Sequence, residues 1–352
     1  MRPVLDDSVR LTDEGVRILD RRAFPTREEW VLARSAAEVA VAIRDMVTQS
    51  SGPFYAGLAG LRLSARRHRG SDLRTALEAL ADDGQLLTVA RPTNNHVRDA
   101  VSEVLAAVSS ARPGSSEELA ELVEAETARL EAAYRAGSAE LGRLTAGLLP
   151  DGSRVLTHCW MDAYLIGLVQ EAARAGRQYE WVVTETRPYL QGARLTAHTL
   201  AEMGQSLTLI TDSTAASVLA GQAALSGPSG LGPIDALVTA ADRVTMDGHV
   251  INKVGTLAHA VAATAYDVPF YALVLAPDRT AATASDVVIE QRDGAEVLSS
   301  LGVRTASPLV ERGYYPAFDV TPPRFVRRIV TDRGVFEPAR VGEYHSDLKE
   351  SA

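Results

Sequence analysis

The chain has 352 residues, 46% hydrophobic and 23% charged, about right for two domains and long enough to bury a sizeable core without metal or disulfide staples. Its net charge of −9 argues against a nucleic-acid partner, which asks for a basic face, but leaves room for an anionic small substrate held by a few local arginines. A single cysteine, Cys159, excludes an internal disulfide and a multi-thiolate metal cluster and fits a reducing compartment. The first residues, MRPVLDDSVR, lack the apolar run of a signal peptide, and no apolar stretch reaches the length of a membrane span. These features describe a soluble, cytoplasmic protein.

Taken in chain order, residues 1 to about 25 read as an extended segment around VRILDRR. From Arg27, the text REEWVLARSAAEVAVAIRDMV has apolar residues at helical spacing and predicts one helix, followed by a TQSSGP loop. LAGLRLSARR and LRTALEALADD predict two further helices. LLTVARP predicts a short strand that ends at Pro92. NNHVRDAVSEVLAAVSS and the long stretch from EELAEL to RLTAGL are strongly amphipathic helices.

The pattern then changes. RVLTHC, EWVVTET, SLTLIT, DALVTA and PFYALVLA are short, continuously apolar segments alternating with helical text. That alternation predicts a parallel sheet covered on both faces. The fold class is therefore α/β: a mainly helical N-terminal domain over residues 1–145, then a Rossmann-like parallel-sheet domain over 146–352.

In such sheets ligands bind beyond the carboxyl ends of the strands. Thr157, His158 and Cys159 stand after one strand, Glu185 to Arg187 after another, Asp212 after a third and Asp242 after a fourth. Cys159 precedes a helix start, where a thiol pKa is expected to fall, although a lone cysteine is more often an inert buried group. Asp242 would serve as a general acid if burial raised its pKa, or else pair with neighbouring Arg243. Arg187, Gln191 and Arg194 sit where a helix start and arginines suit a phosphate. Asn252 and Lys253 read as the opening of the next helix, suited to a sugar hydroxyl or phosphate, with a helix cap equally open for Asn252. Arg91 could point a guanidinium into a cleft. His158 alternates away from Cys159 and reads as a core histidine. No GxGxxG, HExxH, CxxC or GxSxG occurs, so neither a nicotinamide cofactor nor a metal is expected.

Several segments resemble a specific family. AIRDM at 42–46, ARPT at 90–93, LTHC at 156–159, ETRPYLQGARLTA at 185–197, AADRVTMDGHVINKVGT at 240–256, PFY at 269–271, IEQRDGAEV at 289–297, PAFDVTP at 316–322 and IVTDRGV at 329–335 are similar to methylthioribose-1-phosphate isomerases. The resemblance implies a helical domain followed by a Rossmann-like one, a homodimer, no redox cofactor and a small phosphorylated sugar as substrate. It implies catalytic roles for Cys159 and Asp242 and substrate contacts for Arg91, Gln191, Asn252 and Lys253.

Two departures fall beside the implied site. The family's Arg-Gly-Ala-Pro loop reads TQSSGP here, leaving Ser51 and Gly52 to bind phosphate through hydroxyl and amide. Trp160, Met161 and Asp162 follow the cysteine where the family has Asn and small residues. The missing arginine keeps a second reading open, a non-catalytic regulatory or ligand-sensing protein like the subunits of the initiation-factor exchange complex. The retained Cys159 and Asp242 favour the enzyme.

Overall fold

The computed structural model describes residues 3–91, 95–221 and 231–349. Pro92, Thr93 and Asn94, part of the ARPT and NNHV readings, lie outside the described residues. Val4–Ala136 form one compact unit, and the chain from Gly137 onward forms the body of a second.

The first unit opens with an antiparallel sheet of β1 (Val9–Thr12), β2 (Gly15–Leu19) and β3 (Trp30–Ala33). Strand β3 corrects the expected helix from Arg27. Trp30, Val31 and Leu32 pair with β2 as extended, bulky residues do. The helix restarts only at α1 (Ala36–Arg44), where the Ser35 hydroxyl accepts from the Glu38 N–H and the Glu38 carboxylate accepts from the Arg34 N–H.

Helices α2 (Gly52–Arg67), α3 (Leu73–Val89), α4 (Asn95–Ala111) and α5 (Ser116–Leu148) complete the helical part. Most of α2 is buried, as befits the central helix of a bundle. The expected strand at LLTVARP is instead the last turns of α3. Ala76, Leu80, Gly84 and Leu87 form one buried face that continues the helical period through the leucines.

The second unit is built on a seven-stranded sheet. In chain order its elements are β4 (Arg154–Thr157), α6 (Ala163–Arg174), β5 (Glu180–Thr184), α7 (Ala197–Glu202), β6 (Ser206–Ile210), α8 (Ala215–Leu219), β7 (Ala236–Ala240), β8 (Arg243–Val244), β9 (Val250–Lys253), α9 (Thr256–Ala265), β10 (Phe270–Leu273), β11 (Ser299–Ser300), β12 (Val303–Arg304), β13 (Phe318–Thr321), β14 (Arg328–Thr331) and β15 (Gly334–Phe336). The sheet runs β15-β14-β10-β7-β4-β5-β6, parallel throughout except for the edge strand β15. All five strands predicted for this domain are present.

Leu156, Val182, Leu237, Phe270, Ala272 and Ile329 share one buried cluster with Ala260 and Ala263 of α9. Burial on both faces is why β4, β5, β7 and β10 read as unbroken apolar runs, whereas the edge strand β6 is mostly exposed. A smaller antiparallel sheet, β13-β9-β8, stands beside the main one and sets Asp319 opposite Asn252. Among the described residues no helix is long and apolar enough to cross a membrane.

Candidate active site

The strand order decides where a ligand fits. From β4 the chain builds outward through β5 to β6, then returns to place β7 on the other side of β4. The connections after β4 and β7 therefore diverge, opening a crevice beyond the carboxyl ends of those two strands. Cys159 follows β4 by two residues and Asp242 follows β7 by two. Two of the predicted residues thus flank the switch point.

Cys159 is half-buried and its backbone is left-handed, with φ 66°. Asp162, at φ 50°, and Thr186, at φ 64°, also have positive φ nearby in the fold. Non-glycine residues held so are strained and concentrate at functional sites.

The lowered thiol pKa expected from a helix start is not found. Burial pushes the Cys159 thiol up to about 12, opposed by the Lys253 ammonium and reinforced by the Asp242 carboxylate. At neutral pH the group is a thiol. Those two charges also place Lys253 and Asp242 within electrostatic reach of the sulfur. Asp242 itself is exposed, in contrast to the apolar enclosure expected for a neutral acid, and its N–H bonds the Ile251 carbonyl across 2.9 Å. Arg243 does not pair with it but with Asp278, at 2.7 Å from Nε.

Asn252 and Lys253 end strand β9 rather than opening a helix, because Gly255, at φ 109°, makes the turn into α9. Both side chains are buried. Asn252 Nδ2 donates to Thr256 Oγ1 at 3.0 Å, and Lys253 Nζ stands 4.5 Å from the centroid of the Phe318 ring. Asp319 accepts from the N–H groups of Gly255 and Leu257, at 2.7 and 3.1 Å, and so caps α9. Burial raises its pKa to about 6, against those two hydrogen bonds and the charge of Lys253.

Gln191 is buried at the entry to a π-helical turn, Gly192–Thr196. Arg187 and Arg194 both bond backbone carbonyls. Arg187 donates to the carbonyls of Val297 and Ser299, and Arg194 donates to the Tyr189 carbonyl and lies over its ring.

His158 is the core histidine expected. The Val254 carbonyl can only accept, so His158 carries its proton on Nε2, at 3.0 Å. Its Nδ1 faces Thr184 Oγ1 at 2.6 Å and His259 Nε2 at 3.2 Å. Among the described residues, His158, His259 and Asp212 bring three possible metal-ligand atoms within 4.8 Å of one another, a grouping invisible in sequence spacing. The hydrogen bonds just described, with those of Asp212 to the N–H groups of Thr186 and Arg187, already occupy these atoms.

In the first unit, Ser51 is buried and precedes α2 without a side-chain cap bond. A Cβ on Gly52 would overlap Thr48 Oγ1, so only glycine fits there. Buried Arg21 braces this loop by donating to the Gln49 carbonyl at 2.6 Å. Arg91 is partly buried, and its Nη1 has no hydrogen-bond partner among the described residues.

Residues 51–338 match the initiation factor 2 subunit family. The chain belongs to that family. A methylthioribose-1-phosphate isomerase from Anaeromyxobacter sp. (strain K) is 38% identical over 347 residues, covering 95% of this chain and 94% of the relative. The crystal structure of 5-methylthioribose 1-phosphate isomerase from Pyrococcus horikoshii OT3 superimposes with a TM-score of 0.86 at 27% identity, over 100% of this chain and 99% of the other. That of the translation initiation factor eIF-2B, subunit delta, from A. fulgidus superimposes at 0.81 and 31% identity, over 97% and 99%.

Thr186 lies within the Glu185 to Arg187 strand end noted in the sequence, whereas Thr196, His259 and Asp319 carry no individual signal there. Asp319 lies within the PAFDVTP segment that carries the family resemblance, and that was the available signal.

Proposed function

We propose that the protein is an aldose–ketose isomerase, an intramolecular oxidoreductase that converts S-methyl-5-thioribose 1-phosphate, or a close 5-modified ribose 1-phosphate, to the ribulose 1-phosphate. The observation that carries this reading is the placement of Cys159 and Asp242 after the two strands flanking the switch point.

A sugar phosphorylated on its anomeric oxygen cannot open as a free hemiacetal does. Asp242, exposed and so dependent on the bound sugar phosphate to cover it and hold its proton, passes that proton to the ring oxygen as the C1–O bond to it breaks. Hydrogen then moves from C2 to C1. On the enediol route the Asp242 carboxylate left by ring opening takes the Cys159 thiol proton, the thiolate takes the proton from C2 and returns it to C1, and the C2 hydroxyl proton restores the thiol as the ketone forms. Lys253 and Asn252 bind sugar oxygens or phosphate, and Gln191 a hydroxyl. Arg91, with its unpartnered Nη1, Ser51 and the Gly52 amide serve the phosphate.

Proton NMR of the purified protein with S-methyl-5-thioribose 1-phosphate, beside Cys159→Ala, tests the reading. Ketose signals that vanish in the variant support it. In D2O, deuterium at C1 marks the enediol route. We take the working form to be a cytoplasmic homodimer, which light scattering tests for assembly.

The likeness to the A. fulgidus initiation-factor subunit and the TQSSGP loop favour a regulatory second reading. It predicts binding of the sugar phosphate without turnover.

A further inference from the structure

Cys159 is gripped on both sides of its own peptide. Its N–H donates to Thr186 Oγ1 at 2.9 Å, and its carbonyl accepts from Thr196 Oγ1. Both threonines are fully buried. Each is itself fixed from behind. The N–H groups of Thr186 and Arg187 bond the two oxygens of Asp212, each at 2.7 Å, which pins the left-handed turn at Thr186. Thr196 ends the π-helical turn, whose extra residue rotates it relative to an ordinary helix. That turn packs tightly on the other clamp, for a Cβ on Gly192 would overlap the Thr184 carbonyl and stand 2.8 Å from Thr186 Oγ1.

A left-handed cysteine is unfavourable in isolation, because its Cβ crowds its own carbonyl. The conformation persists only where its surroundings over-determine it. Released, the peptide would relax to negative φ, swinging the Cα–Cβ bond and carrying the sulfur away from Lys253 and Asp242.

We propose that Thr186 and Thr196 are positioning residues that hold Cys159 left-handed and so aim its thiol into the crevice. The inference rests on the isomerase reading for its catalytic consequence, and on hydrogen bonds alone for its structural one.

The test uses the full chain with Thr186→Val, Thr196→Val, Thr186→Ser and Thr196→Ser. Valine keeps the shape and removes the hydroxyl, whereas serine keeps the hydroxyl. The single cysteine allows selective carbon-13 labelling, so one Cα resonance reports its backbone. We expect the valine variants to shift that resonance and lower kcat by about 10- to 100-fold, the scale of a roughly 1 Å misplacement, with KM within about twofold. The serine variants should keep the wild-type resonance and most of kcat. An unshifted resonance and unchanged kcat in folded Thr196→Val would overturn the proposal, even if Thr186→Val fails to fold. Shifted resonances in valine variants of a protein that turns nothing over would uphold the clamp and remove the isomerase reading.

Discussion

His259 Nε2 stands 3.2 Å from His158 Nδ1, two imidazoles meeting edge to face inside the second unit with no room for charge on either. Burial pushes His158 down to about 4 and His259 to about 3, and each fall is deepened by a neighbouring cation, Lys253 for the first and protonated His158 for the second. The folded protein thus binds these protons less tightly than the unfolded chain does. The stability tied to the neutral pair is fully present above the usual value of 6.5 and is lost as pH falls towards 4 and 3. Denaturant midpoints should decline below pH 6.5 with uptake of up to two protons. His259→Leu should make that decline shallower by about one proton. A midpoint that stays flat from neutral to pH 5 would show that the pair does not govern acid stability.

Cys159→Ala and Asp242→Asn remove the two groups at the switch point. General acid–base groups of this kind contribute roughly 10²- to 10⁴-fold. Each variant should lose kcat on that scale while retaining its melting temperature. Steady-state kinetics with S-methyl-5-thioribose 1-phosphate decides, and a variant within threefold of wild type would strip its residue of the role.

Asp319→Ala leaves the Gly255 and Leu257 N–H groups at the head of α9 without their acceptor. Loss of such a cap costs about 1 kcal/mol. Because the same carboxylate faces Lys253, KM for the sugar phosphate should also change. Asp319→Asn should recover much of the stability through its remaining oxygen but not the electrostatic part. Thermal melts and KM values for the two variants separate the contributions.

Gly142 of α5 and Gly167 of α6 meet backbone to backbone. A Cβ on Gly142 would collide with the Gly167 carbonyl, and one on Gly167 would lie 2.6 Å from the Ser138 oxygen. Gly142→Ala should destabilise the protein by roughly 1–3 kcal/mol through overpacking, despite the better helix propensity of alanine. A stabilised variant would mean that the helices can separate freely.

Much of this arrangement is written locally. The parallel strands are legible because a strand buried on both faces must be apolar throughout, and the residue just beyond its carboxyl end must be a polar survivor such as Cys159 or Asp242. Strand β3 is not legible in the same way. Trp30-Val31-Leu32 continues the apolar spacing of the helix that follows, and only pairing with β2 selects the extended form. The leucines at 86–87 fail in the opposite sense, since a β-rich run completes a face begun at Ala76. Asn252 and Lys253 look helical until the positive φ of Gly255 is known. The threonine clamp has no local signature, for Thr186 and Thr196 meet Cys159 from 27 and 37 residues away.

The protonated state of Cys159 has a consequence for handling in air. Peroxide attacks thiolates, and a thiol whose pKa stands near 12 offers almost none at neutral pH. With no second cysteine in the chain to resolve a sulfenic acid, any oxidation that did occur would have no internal route back. The protonated form of the sulfur therefore protects the one position at which the chain has no second thiol.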